Sequence, residues 1–222
     1  MGLEPDVATY VPSDTVALAG VHMDRIPELP KAWVAVLQPL RDATYLLLAF
    51  DGKDAVLIAR GRFPAAPPGA VLIGPELALA GSPAAVQAAR EHHDRVRAAP
   101  GLLQKAASVA AQDLWAVLPG DHPLPLPGNW ENFNRLLRLT GYTTLTARFD
   151  STVNVDLRGY CRSVEDAREL EETVRGIVSL AAATTRAGGL AAILRSVQVD
   201  RSDELVHISF SGASSELERL LH

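Results

Sequence analysis

The chain of 222 residues has a single cysteine, Cys161, so no disulfide can form within it and a four-cysteine zinc site is excluded. Aromatic residues make up only 5%, which leaves Val, Leu, Ile and many Ala to build the core. No apolar run approaches the roughly 18 residues that a helical membrane span needs. Excess positive charge is missing too: the net charge is −5 and the basic residues are scattered, so nothing draws the chain to nucleic acid. The start, Met1-Gly2-Leu3-Glu4-Pro5-Asp6, has neither the basic opening nor the apolar stretch of a signal peptide. Glycine-rich phosphate loops, a dinucleotide-binding glycine fingerprint and a nucleophile elbow are also absent. No cofactor, metal site or catalytic set is therefore expected.

What the sequence does contain is a repeat. Thr44-Tyr45-Leu46-Leu47-Leu48-Ala49-Phe50-Asp51 reads as a strand ending in Phe-Asp, and so does Thr143-Thr144-Leu145-Thr146-Ala147-Arg148-Phe149-Asp150. A short turn follows each, Asp51-Gly52 being a strong hairpin signal. A second strand then ends in Arg-Gly, at Arg60-Gly61 and at Arg158-Gly159; the offset is 99 residues at Phe50/Phe149 and 98 at Arg60/Arg158. Upstream, Val16–Val21 matches Leu114–Leu118, and helical stretches follow around Ala32–Leu37 and Trp130–Leu139. Downstream, a hairpin of Ala70–Ile73 with Leu77–Ala80 matches Val197–Val199 with Leu205–Phe210, and Gly81-Ser82-Pro83 and Gly212-Ala213-Ser214 open a closing helix.

The halves differ where the second inserts a long helix, 163–187 with its cap and exit, against the stiff loop Pro64–Gly69 of the first. Ser163 with Asp166 resembles a capping box, and Glu171 pairs with Arg175 one turn on. Val164, Ala167, Leu170, Val174, Ile177, Val178 and Ala181 form an apolar stripe, ended at Gly188-Gly189 before a last turn over Leu190–Leu194. Along the strand after Val153, apolar Val153, Val155 and Leu157 alternate with Asn154, Asp156 and Arg158, the mark of an antiparallel sheet with one wet face. The fold class that follows is α+β: two related ferredoxin-like halves with antiparallel sheets packed by helices, the first lacking one helix. Residues 1–98 form the first repeat, 99–112 a helical linker and 113–222 the second repeat.

Few side chains assemble into chemistry. His22 and Asp24, at i and i+2 of an extended segment, share a face and so form a candidate acid–base pair, although Asp24 is equally placed to cap the helix that follows. Arg60 and Arg158 occupy equivalent repeat positions and form a candidate grip for an anion; the competing reading is that each bridges a neighbouring acid. His92 and His93 point about 100° apart on a helix and cannot share a metal, so a solvated helix surface is expected there. His122 and His207 read as exposed residues, and Cys161 as a buried, inert thiol.

The phrase Tyr10-Val11-Pro12-Ser13-Asp14-Thr15-Val16-Ala17, with Leu77-Ala78-Leu79-Ala80-Gly81-Ser82-Pro83 further on, resembles segments of uncharacterised bacterial proteins, many of them exported. The resemblance covers a few short motifs. It implies no activity, since those proteins have none assigned, and it implies an exported native protein with its leader absent here; the other compartment open is the cytoplasm. The expected function is a non-catalytic binding or structural one, with a protein or a second copy as partner. The alternatives are a small-anion or small-molecule binding module using Arg60 and Arg158, and an enzyme built on His22 and Asp24.

Overall fold

A computed structural model describes residues 3–26, 40, 42–94, 101–124, 131–185 and 194–213. The protein is α+β, with a large antiparallel sheet and few helices. It divides into two compact units, Met1–Val117 and Leu118–His222.

The first unit contains α1 (Pro5–Ala8), β1 (Ala17–His22), a 3-10 turn over Met23–Arg25, β2 (Ala43–Phe50), β3 (Ala55–Gly61), β4 (Ala70–Leu72) and β5 (Leu77–Gly81). After these come α2 (Pro83–Asp94), α3 (Gly101–Ala107) and the start of β6 (Leu114–Pro119). The strands lie in the order β4-β5-β3-β2-β1-β6. Pairing of Leu114–Val117 with Val21–Leu18 ties the first part of β6 to this unit, so the division falls inside that strand.

The β2–β3 hairpin forms because Asp51 closes it. Its Oδ1 accepts from the N–H groups of Lys53 and Asp54, both at 2.7 Å, while Gly52 takes the left-handed φ of 102° that other residues resist. Leu46, Ala59 and Ala78 bury one sheet face with Leu40 and Phe63, and Leu57, Leu72 and Val21 pack against them. Leu47, Ile58 and Leu79, on the opposite face, are fully buried; each contributes about 1.5–3 kcal/mol relative to exposure. Helices α1 and α2 pack on β3, and α3 packs on β1.

The second unit contains α4 (Glu131–Leu137), β7 (Thr140–Phe149), β8 (Thr152–Cys161), α5 (Val164–Thr184), β9 (Gln198–Ser202) and β10 (Leu205–Ala213), with strand order β7-β8-β10-β9. β10 lies between β8 and β9, so β8, α5 and β9 make a split β-α-β unit. A ferredoxin-like half would bring its fourth strand back through a second helix. Here that flank is held by β7, joined to β8 by a hairpin, which departs from the expected ferredoxin-like order. The first unit repeats the arrangement without a helix, β5 lying between β3 and β4 and the loop after β3 replacing α5.

Ser163 caps α5 by accepting from the Asp166 N–H at 3.1 Å, and Glu171 pairs with Arg175 at 3.0 Å. Ala167 and Leu170 are buried with Cys161, Val199 and Val206, and Val174 packs against them. The rest of the expected stripe is less covered: Val164 and Ile177 are 45% and 48% exposed. α5 packs on β8, β9 and β10, and its buried residues, Ala167 and Leu170, both lie in its first two turns. On β8, Val153 is buried, but Val155 and Leu157 are only half-buried, like Asn154 and Asp156 on the wet face. Within 99–112, α3 covers Gly101–Ala107, and α2 lies before that span. The expected stretch at 32–37, the break at 188–189, most of the turn over 190–194 and the closing helix after 213 lie outside the described residues.

Gly20 sits opposite Trp115 on β6, and a Cβ there would come within 2.3 Å of the indole. Gly20→Ala should cost about 1–3 kcal/mol in urea unfolding, and the penalty should shrink in a Trp115→Phe background, where the shorter ring leaves room. An equal penalty in both backgrounds would show that the indole is not what constrains this position.

Candidate ligand-binding cleft

Strand registers align Leu77, Arg60, Tyr45 and His22 in one row across β5, β3, β2 and β1. The row is polar through its middle, which is unusual for a sheet face that packs on helices. His22, at its inner end, is buried; its Nε2 lies 3.1 Å from the Ala110 carbonyl oxygen and its ring tilts against Tyr45, centroids 4.7 Å apart. Tyr45 is buried as well, and desolvation holds its phenol well above the ordinary range, the neighbouring Trp115 indole pulling weakly the other way. This phenol stays protonated at every physiological pH.

The outer end of the row opens into a cleft of about 390 Å³, lined by Arg60 and Leu77 from the sheet, Asp6, Thr9 and Tyr10 from α1 and just after it, Ile73 and Glu76 from the β4–β5 turn, and His93 from α2. Arg60 Nη1 donates to Glu4 Oε2 at 2.5 Å. That hydrogen bond and the Glu4 charge raise the guanidinium pKa further, against a smaller desolvation effect, with Asp6 and Glu76 adding to the rise. His93 stacks flat on Tyr10, centroids 4.2 Å apart and planes 7° from parallel, and its Nδ1 lies 3.0 Å from Thr9 Oγ1. Burial of Tyr10, with Asp94 nearby, raises its phenol pKa against the opposing pull of Arg90. The cleft thus offers an aromatic wall, an apolar floor of Ile73 and Leu77, and an arginine already held by a carboxylate.

The candidate residues separate. Arg60 reaches the cleft, whereas Arg158 is exposed on β8 of the second unit, opposite His207. His22 is buried, but Asp24 is exposed, because the chain leaves the strand at Met23 and the 3-10 turn swings Asp24 off the face that His22 occupies. Of the helical pair, His92 is buried and His93 lies at the surface, so the expected solvated surface holds for His93 alone. His122 pairs with Asp121 at 2.8 Å, which lowers the Asp121 pKa, and His207 Nε2 lies 2.5 Å from Asp156 Oδ1. Among the described residues, no group of three or more His, Cys, Asp and Glu could hold a metal ion, and no helix is long and apolar enough to cross a membrane.

Glu4, Tyr10, Thr9 and His93 carry no local signal of a site: Glu4 meets Arg60 across 56 residues of chain, and Thr9 meets His93 across 84. No family model matches the chain, and neither does any curated protein. Among solved structures it is similar to TP0453 in its crystal form I, with 10% identity, a TM-score of 0.56 and 98% of each chain covered. At that identity the likeness shows the fold.

Cys161 lies outside the cleft, buried in the second unit. Desolvation pushes its thiol up to about 11 from the ordinary 9.0, with Asp166 and Glu204 adding to the rise. The thiol should therefore resist a disulfide reagent at pH 8 until denaturant unfolds the chain. Because the unfolded thiol ionises first, its contribution to stability is complete below about pH 9 and is lost as the pH rises through about 11. Rapid labelling of the folded protein at pH 8 would contradict this burial.

Proposed function

We propose that this chain is a non-catalytic binding protein and that the first unit's cleft receives a small ligand. The observation that carries this reading is the concave site at the end of the polar row, where an aromatic stack, two apolar side chains and Arg60 converge. Arg60 is not a bare anion receptor, since Glu4 neutralises it at 2.5 Å and Asp6 and Glu76 surround it. A ligand with a flat or apolar body and a hydrogen-bonding head fits these groups better than a simple anion, and a carboxylate head would have to displace Glu4. The anion module needing both Arg60 and Arg158 draws less support, because Arg158 is exposed on its strand and does not line the cleft. Catalysis by His22 and Asp24 draws less still, with one side chain buried and the other exposed.

We also read the two units as copies of one plan. Strands β4-β5-β3-β2 and β9-β10-β8-β7 run in the same relative order. Tyr45 stands opposite Arg60 as Thr144 stands opposite Arg158, and each first hairpin has an irregularity near its far end, between Ala43 and Tyr45 and between Thr140 and Tyr142. The split β-α-β unit of the second half is what supports a ferredoxin-like ancestry for both.

The test is a thermal-shift screen of small aromatic acids, amines and amides. A ligand at about 100 times its Kd should stabilise the protein by about 2.7 kcal/mol. Arg60→Met and His93→Ala should remove that stabilisation, and Arg158→Met should leave it intact. If no compound stabilises the wild type, or if the cleft variants respond as the wild type does, the cleft is not the binding site.

A further inference from the structure

The charge lining the first unit's cleft is unbalanced. Among the described residues that line it, Arg60 is the only arginine or lysine, and Glu4 already pairs with it at 2.5 Å. Two further carboxylates, Asp6 and Glu76, line the same cleft, lie exposed and make no ion pair among the described residues. Both act on the guanidinium together with Glu4, so three negative charges gather around one positive charge. Hydrogen bonding leans the same way. Thr9 Oγ1 donates to the Asp6 carbonyl oxygen at 2.8 Å, so at 3.0 Å it accepts from His93 Nδ1, which leaves Nε2 of the neutral ring an acceptor. Tyr10 is only 7% exposed, and its hydroxyl has no hydrogen-bond partner among the described residues. The polar groups left unanswered are two carboxylates, an imidazole nitrogen and a phenol, and every one of them can accept a hydrogen bond.

Resting on the reading of this cleft as a binding site, we infer that its ligand is an organic cation: a primary amine on a flat or apolar body, its ammonium held by Asp6 and Glu76 and its body set against the Tyr10–His93 stack. An ammonium brings three N–H donors and no acceptor, the complement of what the cleft leaves unanswered. A carboxylate ligand would add a fourth negative charge, and a neutral one would leave both carboxylates unpaired. Arg60 serves this site as a positioning residue. Through Glu4 it ties the start of α1 to β3, and the chain from there carries Asp6, Thr9 and Tyr10 into the wall of the cleft.

The test is calorimetric titration of the full chain at pH 8 and low ionic strength with three probes of similar shape: 2-phenylethylamine, 2-phenylethanol and 3-phenylpropionate. The amine should bind about fivefold or more tightly than the alcohol, and the acid should bind weakest. Asp6→Asn and Glu76→Gln, both at exposed positions, should each weaken the amine about two- to fivefold and leave the alcohol unchanged. Glu4→Gln keeps an oxygen for Arg60 to donate to while removing the charge, so it should weaken the amine and strengthen the acid. Asp6→Lys combined with Glu76→Lys should reverse the preference outright. Equal affinity for the three probes, tighter binding of the acid, or an amine affinity unmoved by Asp6→Asn and Glu76→Gln would overturn the assignment of a cation while leaving the cleft as a binding site. Binding of none of the three, or amine binding that survives His93→Ala intact, would sink the cleft and this inference together.

Discussion

The two hydrogen bonds that the Asp51 carboxylate accepts at the tip of the β2–β3 hairpin set the register on which the first unit's cleft depends. They hold the turn so that Phe50 faces Ala55 and, five residues back, Tyr45 faces Arg60. Side chains alternate faces along a strand, so a slip of one residue would carry Arg60 to the face where Leu46, Ala59 and Ala78 pack. That face is apolar and buried, and a guanidinium there would lose both water and Glu4. Burial and turn geometry therefore select the same register. The row from Leu77 to His22, and the cleft at its outer end, follow from it.

Along that row the environment changes from wet to dry, and each polar group is treated accordingly. Arg60, part-exposed, keeps its charge beside Glu4. Tyr45, buried, is held neutral by desolvation, and His22 lies against a backbone carbonyl oxygen. In the second unit the β7–β8 hairpin sets the buried Thr144 opposite the exposed Arg158. There Tyr142 stacks on Tyr160, centroids 4.3 Å apart, and His207 meets Asp156 across the strands. Helices α1 and α2 pack on β3 in the first unit, whereas α5 packs on β8, β9 and β10 in the second.

Local features were readable in the chain. Asp51-Gly52 marked its hairpin, Ser163 its helix cap, and Glu171 its partner Arg175, since each involves residues within a few positions of one another. The apolar stripe of α5 was readable as a periodicity but not as burial. Periodicity reports which face a helix could bury, and the sheet it lands on decides how much of that face is covered: Ala167 and Leu170 are buried, Val164 and Ile177 are not. The pairing of His22 with Asp24 failed for a related reason: i and i+2 share a face only while the backbone stays extended, and it turns at Met23.

Hydrophobic periodicity and turn chemistry were enough to specify the strands, the hairpins and the long helix, because those signals act over distances the backbone bridges by itself. The meeting of Glu4 with Arg60, of Tyr10 with His93 and of Arg175 with the Val199 carbonyl depends on strand order and on where each helix lands. Strand order is settled by which buried faces fit together. The cleft therefore exists only once the sheet has assembled, since it is made by residues that share nothing along the chain except the surface they come to line.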